Sequence, residues 1–338
     1  MTVVNQKHIY IYSPSGAVRD KAAFRRGIAR LKTLGHAVEV DEAALSRHLR
    51  FAGDDATRLA AMARAAASGA DVALISRGGF GLTRILPDIP YKAVAKAIAK
   101  GTQFVGISDF TAFQAALLAK TGAITWAGPA LCEGFGAGGK PDMADGHGQG
   151  EAGGPDDIME ACFDDLIRGQ GEGAGWRQDS EPAQSALHPI ASGAIHQRAT
   201  GSYAIKNAVL WGGNLAVLSS LLGTPFWPEV KGGILFLEDV GEHPYRIERM
   251  LTQLLHAGVL ARQKAIVLGQ FTEYKLTPHD KGYKLQTVVN WLRSQLKIPV
   301  LTNLPFGHVP TKVLLPFGAR TDLMVEGRDA LLYWGHPS

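Results

Sequence analysis

The sequence predicts an α/β protein, with a parallel-sheet domain at the N-terminus and a smaller β/α domain after it. Three observations lead there. Short β-branched and apolar runs alternate with helical repeats, several of these runs end directly in glycine-rich turns, and 338 residues exceed what one core ordinarily holds. Alternation of this kind implies parallel strands joined by crossover helices, with the functional loops at the carboxyl ends of the strands.

His8–Tyr12 is a β-branched and aromatic run that ends at the turn formers Ser13, Pro14, Ser15 and Gly16. Asp20 then caps a helix whose apolar positions Phe24, Ile28, Leu31 and Leu34 recur at helical spacing, and Gly35 closes it. A strand over His36–Val40 follows, then a capped helix from about Asp55 through Leu59 and Met62. The strand Asp71–Ser76 leads into Arg77, Gly78, Gly79, Phe80 and Gly81; another ends at Gly106 before a helix over Phe110–Lys120. Between Glu133 and about Ser185 the composition changes, and glycine, aspartate, glutamate and glutamine dominate Gly134–Asp157. This stretch reads as a long surface insertion and interdomain crossing, interrupted by a helical patch over Ile158–Ile167.

The domains expected from this pass are 1–165, with its 134–157 insertion, and 186–338. In the second domain, strands are expected around Ala191–Arg198, Ala208–Leu210, Gly233–Leu237, Ala265–Gly269 and Pro299–Thr302, with closing strands near Val313–Leu315 and Thr321–Val325. Helices fall near Asn214–Leu222, Tyr245–Ala257 and Leu285–Leu296. No internal repeat is visible.

A chain that is 46% hydrophobic and 20% charged is ordinary for a soluble globular protein. Net charge is +4, with basic residues scattered along helices, so the footprint for nucleic acid is weak and no such partner is expected. Cys132 and Cys162 are too few for a disulfide framework and have no metal-ligand spacing. The histidines form no metal pattern either, so neither a metal nor another cofactor is expected. Met1–Gln6 is polar and Ile9–Tyr12 is far shorter than a signal core or a membrane span, which points to a cytoplasmic protein without a membrane partner.

The most informative residue is Ser108, in Gly106-Ile107-Ser108-Asp109, where a strand breaks sharply into a helix. A glycine two residues before such a serine lets the backbone double back, so that the hydroxyl stands clear and backbone amides can face it. Phe110 stands where the hydrolase elbow would have its second glycine, and a serine here also suits a helix N-cap. Asp109 suits the same cap, which would leave Ser108 for chemistry. A nucleophilic serine needs a base and a group to orient it. Ile234–Leu237 runs into Glu238 and Asp239, and Phe306-Gly307-His308-Val309-Pro310 places a histidine on a constrained loop. The order serine, carboxylate, histidine is that of the α/β hydrolases. Taken singly, Glu238 also reads as a cap or strand end and His308 as a loop histidine bonded to backbone.

Arg77–Gly81 follows a strand and has amides free to bind an anion, or is simply a tight turn. Trp211-Gly212-Gly213-Asn214 reads as a second glycine turn before a helix, with Trp211 either a core residue or a substrate contact. Gly134, Gly136 and Gly139 mimic a dinucleotide motif, and Gly134–Lys140 the opening of a P-loop. Pro141 replaces the metal-binding hydroxyl and no helix follows, so nucleotide binding is not expected there.

In order and spacing these segments resemble the LD-carboxypeptidase family of serine peptidases, which contains muramoyltetrapeptide carboxypeptidases and microcin C immunity peptidases. The resemblance rests on Ser13-Pro14-Ser15-Gly16, Phe51-Ala52-Gly53-Asp54, Arg77–Gly81, Gly106–Asp109, Trp211–Leu215, Leu237–Glu242, Pro244-Tyr245-Arg246 and Gly307-His308. The glycine-rich insertion and Val309–Lys312 depart from it. The resemblance implies a flavodoxin-like first domain, an active site where the two domains meet, and a homodimer. It also implies a triad of Ser108, Glu238 and His308, with an oxyanion hole from the amides of Gly79 and Asp109. Arg77, Trp211 and Asn214 are the expected substrate contacts, Arg77 because a guanidinium can hold a terminal carboxylate bidentately. The implied substrate is a murein peptide. The rivals are an aminoacyl nucleotide and, from another class, a peptide held by a module without catalysis.

Overall fold

The computed structural model describes residues 6–138, 153–179, 202–337 and the backbone of 195–198. Much of the expected insertion and the start of the Ala191–Arg198 strand lie outside them. The chain divides into two compact units, 1–170 with 310–315, and 171–309 with 316–337.

The first unit runs β1 (His8–Tyr12), α1 (Lys21–Thr33), β2 (Ala37–Val40), α2 (Asp55–Ala67), β3 (Val72–Ile75), α3 (Leu82–Ile85), α4 (Tyr91–Ala99), β4 (Gln103–Gly106), α5 (Phe110–Thr121), β5 (Thr125–Ala127) and α6 (Asp157–Arg168). As the sequence predicts, the sheet is parallel, in the order β2-β1-β3-β4-β5. Every residue of β3 and all but the first of β1 are buried, because helices cover both faces. The order reverses between β1 and β3. At such a switch point the following loops diverge and leave a crevice at the carboxyl edge of the sheet.

Local chemistry explains the helix bounds. The Asp20 carboxylate accepts from the amides of Ala22 and Ala23, and that of Asp54 from Thr57, so each helix starts where an acid caps it. Helix α5 is buried at every residue from Phe110 to Leu117, and Gly122, with φ +72°, ends it.

The composition change at Gly134 is not the start of a surface loop. Leu131–Phe135 forms a π-helical turn with Leu131, Cys132, Gly134 and Phe135 buried. A Cβ at Gly136 would run into the carbonyl of Ala23, so glycine here serves the close approach of α1.

The second unit runs β6 (Gly173–Arg177), β7 (Ile195–Arg198), β8 (Ser202–Asn214), α7 (Leu215–Ser220), β9 (Ile234–Val240), α8 (Pro244–His256), β10 (Ala265–Thr272), α9 (Leu285–Gln295) and β11 (Val300–Leu301). Residues 310–315 return to the first unit, where Leu315 opens β12 (Leu315–Phe317), the strand next beyond β5. The chain closes with β13 (Arg320–Glu326) and β14 (Asp329–Tyr333). This second sheet has the order β11-β10-β9-β8-β13-β14-β6, with β7 also on β8. It is parallel from β8 to β11 and antiparallel on the other side.

Two expectations change here. Gly173–Arg177, expected within the crossing, is a strand paired along β14. Trp211–Asn214 is not a turn: β8 continues through both glycines in register with Leu235–Glu238. A Cβ at Gly212 would collide with the Phe236 carbonyl, so the glycine allows the two strands to approach.

Candidate active site

Ser108 lies between the end of β4 and the start of α5, half-buried, with φ +66°. That left-handed conformation is uncommon for a residue with a side chain and persists only where neighbours impose it. Here the neighbours are glycines. A Cβ at Gly106 would stand 2.7 Å from the Phe110 ring, and one at Gly78 would stand 2.6 Å from Ser108 Cβ and 2.8 Å from its Oγ. Both must therefore lack side chains for the turn to form and the serine to sit over the loop after β3.

That loop is held from the loop after β1. The Gly16 amide donates to the Gly78 carbonyl at 3.2 Å. Because the peptide is trans, the Gly79 N–H points the opposite way from that carbonyl. Gly79 is exposed, with φ +115°, so its amide can reach a ligand. The Asp109 amide lies at the positive N-terminal end of α5, which favours negative charge beside it.

The Asp109 side chain does not cap α5, although the residue occupies the N-cap position. It turns inward, where Oδ2 accepts from Ser15 Oγ and, at 2.9 Å, from the Leu82 amide. Burial raises its pKa, and these hydrogen bonds together with the Arg58 charge oppose the rise. Arg77 is mostly buried, its Nη1 donating to the Ala17 carbonyl at 3.3 Å and its Nε 3.5 Å from Glu133.

In the second unit, β9 carries Glu238, fully buried, and Asp239. His308 Nδ1 lies 2.9 Å from Glu238 Oε2, and the His308 carbonyl accepts from Thr272 Oγ1 at 3.3 Å. Gly307, with φ +140°, brings the loop so near that a Cβ would lie 3.0 Å from the Gln270 carbonyl and 3.3 Å from Glu238 Cβ. A carboxylate accepting from Nδ1 leaves the imidazole's basic lone pair on Nε2.

Asn214 is buried and donates from Nδ2 to Glu238 at 3.2 Å and to Asp239 at 3.0 Å, so it serves the acids rather than presenting an open substrate surface. Asp239 also accepts from the amides of Ala216 and Val240. Burial and the neighbouring Glu238 charge push its pKa up to about 7. The substrate contact expected of Trp211 gives way to a core role. Its ring is fully buried, edge-on to Trp227 at 5.4 Å, with the indole N–H donating to Gln263.

Two residues of these constellations, Ser15 and Arg58, carry no functional reading in the sequence, where Asp239 stands beside Glu238 as the second acid at a strand end. Arg58 had a signal, because it shares the buried stripe of α2 with Ala61, Met62 and Ala65, where an arginine requires buried partners. Among the described residues no cluster of three His, Cys, Asp or Glu could hold a metal ion, and no helix is long and apolar enough to cross a membrane. The first unit thus presents a serine on a strained turn, beside a glycine loop and at the N-terminal end of a helix. The second presents an imidazole oriented by a buried carboxylate.

Comparison with known proteins gives the family of the chain. Residues 9–128 match the profile of the LD-carboxypeptidase N-terminal domain, and residues 207–323 that of the LD-carboxypeptidase C-terminal domain. The crystal structure of a muramoyltetrapeptide carboxypeptidase from Oxalobacter formigenes is 36% identical, with a TM-score of 0.78 over 98% of this chain and 100% of that one. A Bacillus subtilis protein named "Probable murein peptide carboxypeptidase" is 28% identical over 90% of this chain and 85% of its own length. A microcin C7 self-immunity protein of Escherichia coli is 28% identical over 75% of this chain and 70% of its own.

Proposed function

The chain belongs to the LD-carboxypeptidase family, and from that premise we propose that it removes the terminal D-alanine from murein tetrapeptides, as a cytoplasmic homodimer serving peptidoglycan recycling. Ser108 attacks the carbonyl that joins an L-configured diamino-acid centre to D-alanine. His308 takes the serine proton and returns it to the departing amine, while Glu238 holds the imidazole in its reactive tautomer. The amides of Gly79 and Asp109 receive the oxyanion, each worth about 2.7–4 kcal/mol to the transition state. Arg77 is the candidate for the terminal carboxylate.

The observation that carries this reading is the 2.9 Å contact between His308 Nδ1 and the fully buried Glu238, the geometry by which a carboxylate orients a basic imidazole. Mass spectrometry of a defined murein tetrapeptide after incubation tests it: the expected product has lost one alanine, and Ser108→Ala abolishes the loss. A second reading, hydrolysis of an aminoacyl nucleotide, is favoured by the likeness to the microcin C7 self-immunity protein. Cleavage of an acyl-sulfamoyl adenylate with the tetrapeptide left intact would select it. If neither is cleaved, while wild type and Ser108→Ala bind the tetrapeptide equally, the protein is a binding module.

A further inference from the structure

Two buried ionisable side chains fasten the loops after β1 and β3 from beneath. Asp109 Oδ2 takes a donor from the first loop, the Ser15 hydroxyl, and one from the end of the second, the amide of Leu82 at the start of α3. Arg58, with no exposed surface, takes one acceptor from each, donating from Nη1 to the Gly81 carbonyl at 2.8 Å and to the Pro14 carbonyl at 3.4 Å. Ser15 and Asp109 are buried as completely. The Gly16 amide, next to Ser15, holds the Gly78 carbonyl and thereby orients the Gly79 N–H.

Asp109 is therefore linked to the Gly79 amide by two routes, through Ser15 and Gly16 and through Leu82, while its own backbone supplies the other amide. The intervening loop needs such restraint. Gly78, Gly79 and Gly81 lack side chains, and Gly79 and Gly81 hold φ of +115° and +143°, a region only glycine enters freely. An oxyanion donor must lie within about 2.7–3.1 Å of its target, so a loop of this freedom cannot hold one unaided.

We propose that the Asp109 and Arg58 side chains are positioning residues, a clamp of hydrogen bonds that fixes the distance between the two oxyanion-hole amides. The proposal rests on the reading of Ser108 as nucleophile. It assigns Asp109 a side-chain role separate from its backbone amide, and it gives Ser15 a part in turnover without contact with substrate.

The experiment compares wild type, Asp109→Ala, Asp109→Asn and Ser15→Ala in two assays, the rate of covalent labelling by a fluorophosphonate and the steady-state hydrolysis of a murein tetrapeptide. All three variants keep the peptide amides, so a loss reports the side chain. A clamp predicts that kcat and the labelling rate fall together with KM within about twofold, since only the transition state is affected. The expected losses are on the order of 100-fold for Asp109→Ala and about 10-fold for Ser15→Ala, with Asp109→Asn between them. Ser15→Ala removes one oxygen from the interior, and it decides the matter if the Asp109 variants do not fold. Variants that label and turn over like wild type overturn the clamp, as do losses confined to KM. A wild type that resists labelling overturns the reading of Ser108 instead.

Discussion

Ser108 holds a backbone angle that costs a residue with a side chain on the order of 1–3 kcal/mol, so its surroundings must over-determine it. The tightest of them is Gly78. Gly78→Ala is expected to push the serine off its position, lowering kcat by at least about 100-fold and stability by about 1–3 kcal/mol, as read by steady-state kinetics and thermal unfolding. Unchanged turnover would mean that the contact does not position the hydroxyl. Ser108→Ala and His308→Ala should each lower turnover by about 10⁶, with no further loss in the double variant, because triad members act as a unit. Losses that multiply would refute the triad. Glu238→Gln should leave the imidazole present in the wrong tautomer, at a loss of about 10⁴.

Strand β9 delivers two successive carboxylates, Glu238 and Asp239, and a strand normally sends successive side chains to opposite faces. Asn214, at the end of the adjacent β8, bonds to both and keeps them near each other. The consequence is electrostatic. Asp239 keeps its proton in the folded chain up to about pH 7, whereas in the unfolded chain it loses it near 3.8. Between those values the folded state binds the extra proton, so this residue's contribution is full below about pH 3.8 and is lost as pH rises through about 7. The unfolding temperature of Asp239→Asn should therefore fall less than that of wild type between pH 4 and pH 7. Parallel curves for the two proteins would dismiss the shift. The same strand pair explains Gly212, whose missing side chain keeps β8 and β9 in register up to Asn214 and Glu238.

Over the whole molecule, the proposed chemistry runs on side chains and backbone amides. Prolonged treatment with EDTA should leave tetrapeptide turnover unchanged, and activity lost to the chelator but restored by a divalent metal would contradict the mechanism. Much of the architecture was legible because it is written locally. Periodicity and caps such as Asp20 fix helices turn by turn, and β-branched runs closed by glycine mark parallel strands. Short elements such as β5 and β14 escaped because a three- or five-residue strand is selected by its partners across the sheet, and so did β6, hidden in a polar stretch. Gly136 and Gly212 misled for a related reason: a glycine that marks a turn and one that admits a neighbouring backbone look alike along the chain. By itself the sequence pointed to the family and to most of the elements in their order, and it singled out Ser108, Glu238 and His308 as candidates, since residue type and local pattern carry that information. Tertiary structure alone decided that Trp211 belongs to the core, that Asp109 turns inward, and that Arg58 and Ser15 meet the loops around the serine. Those facts depend on burial and on contacts between residues far apart in the chain, and neither exists until it folds.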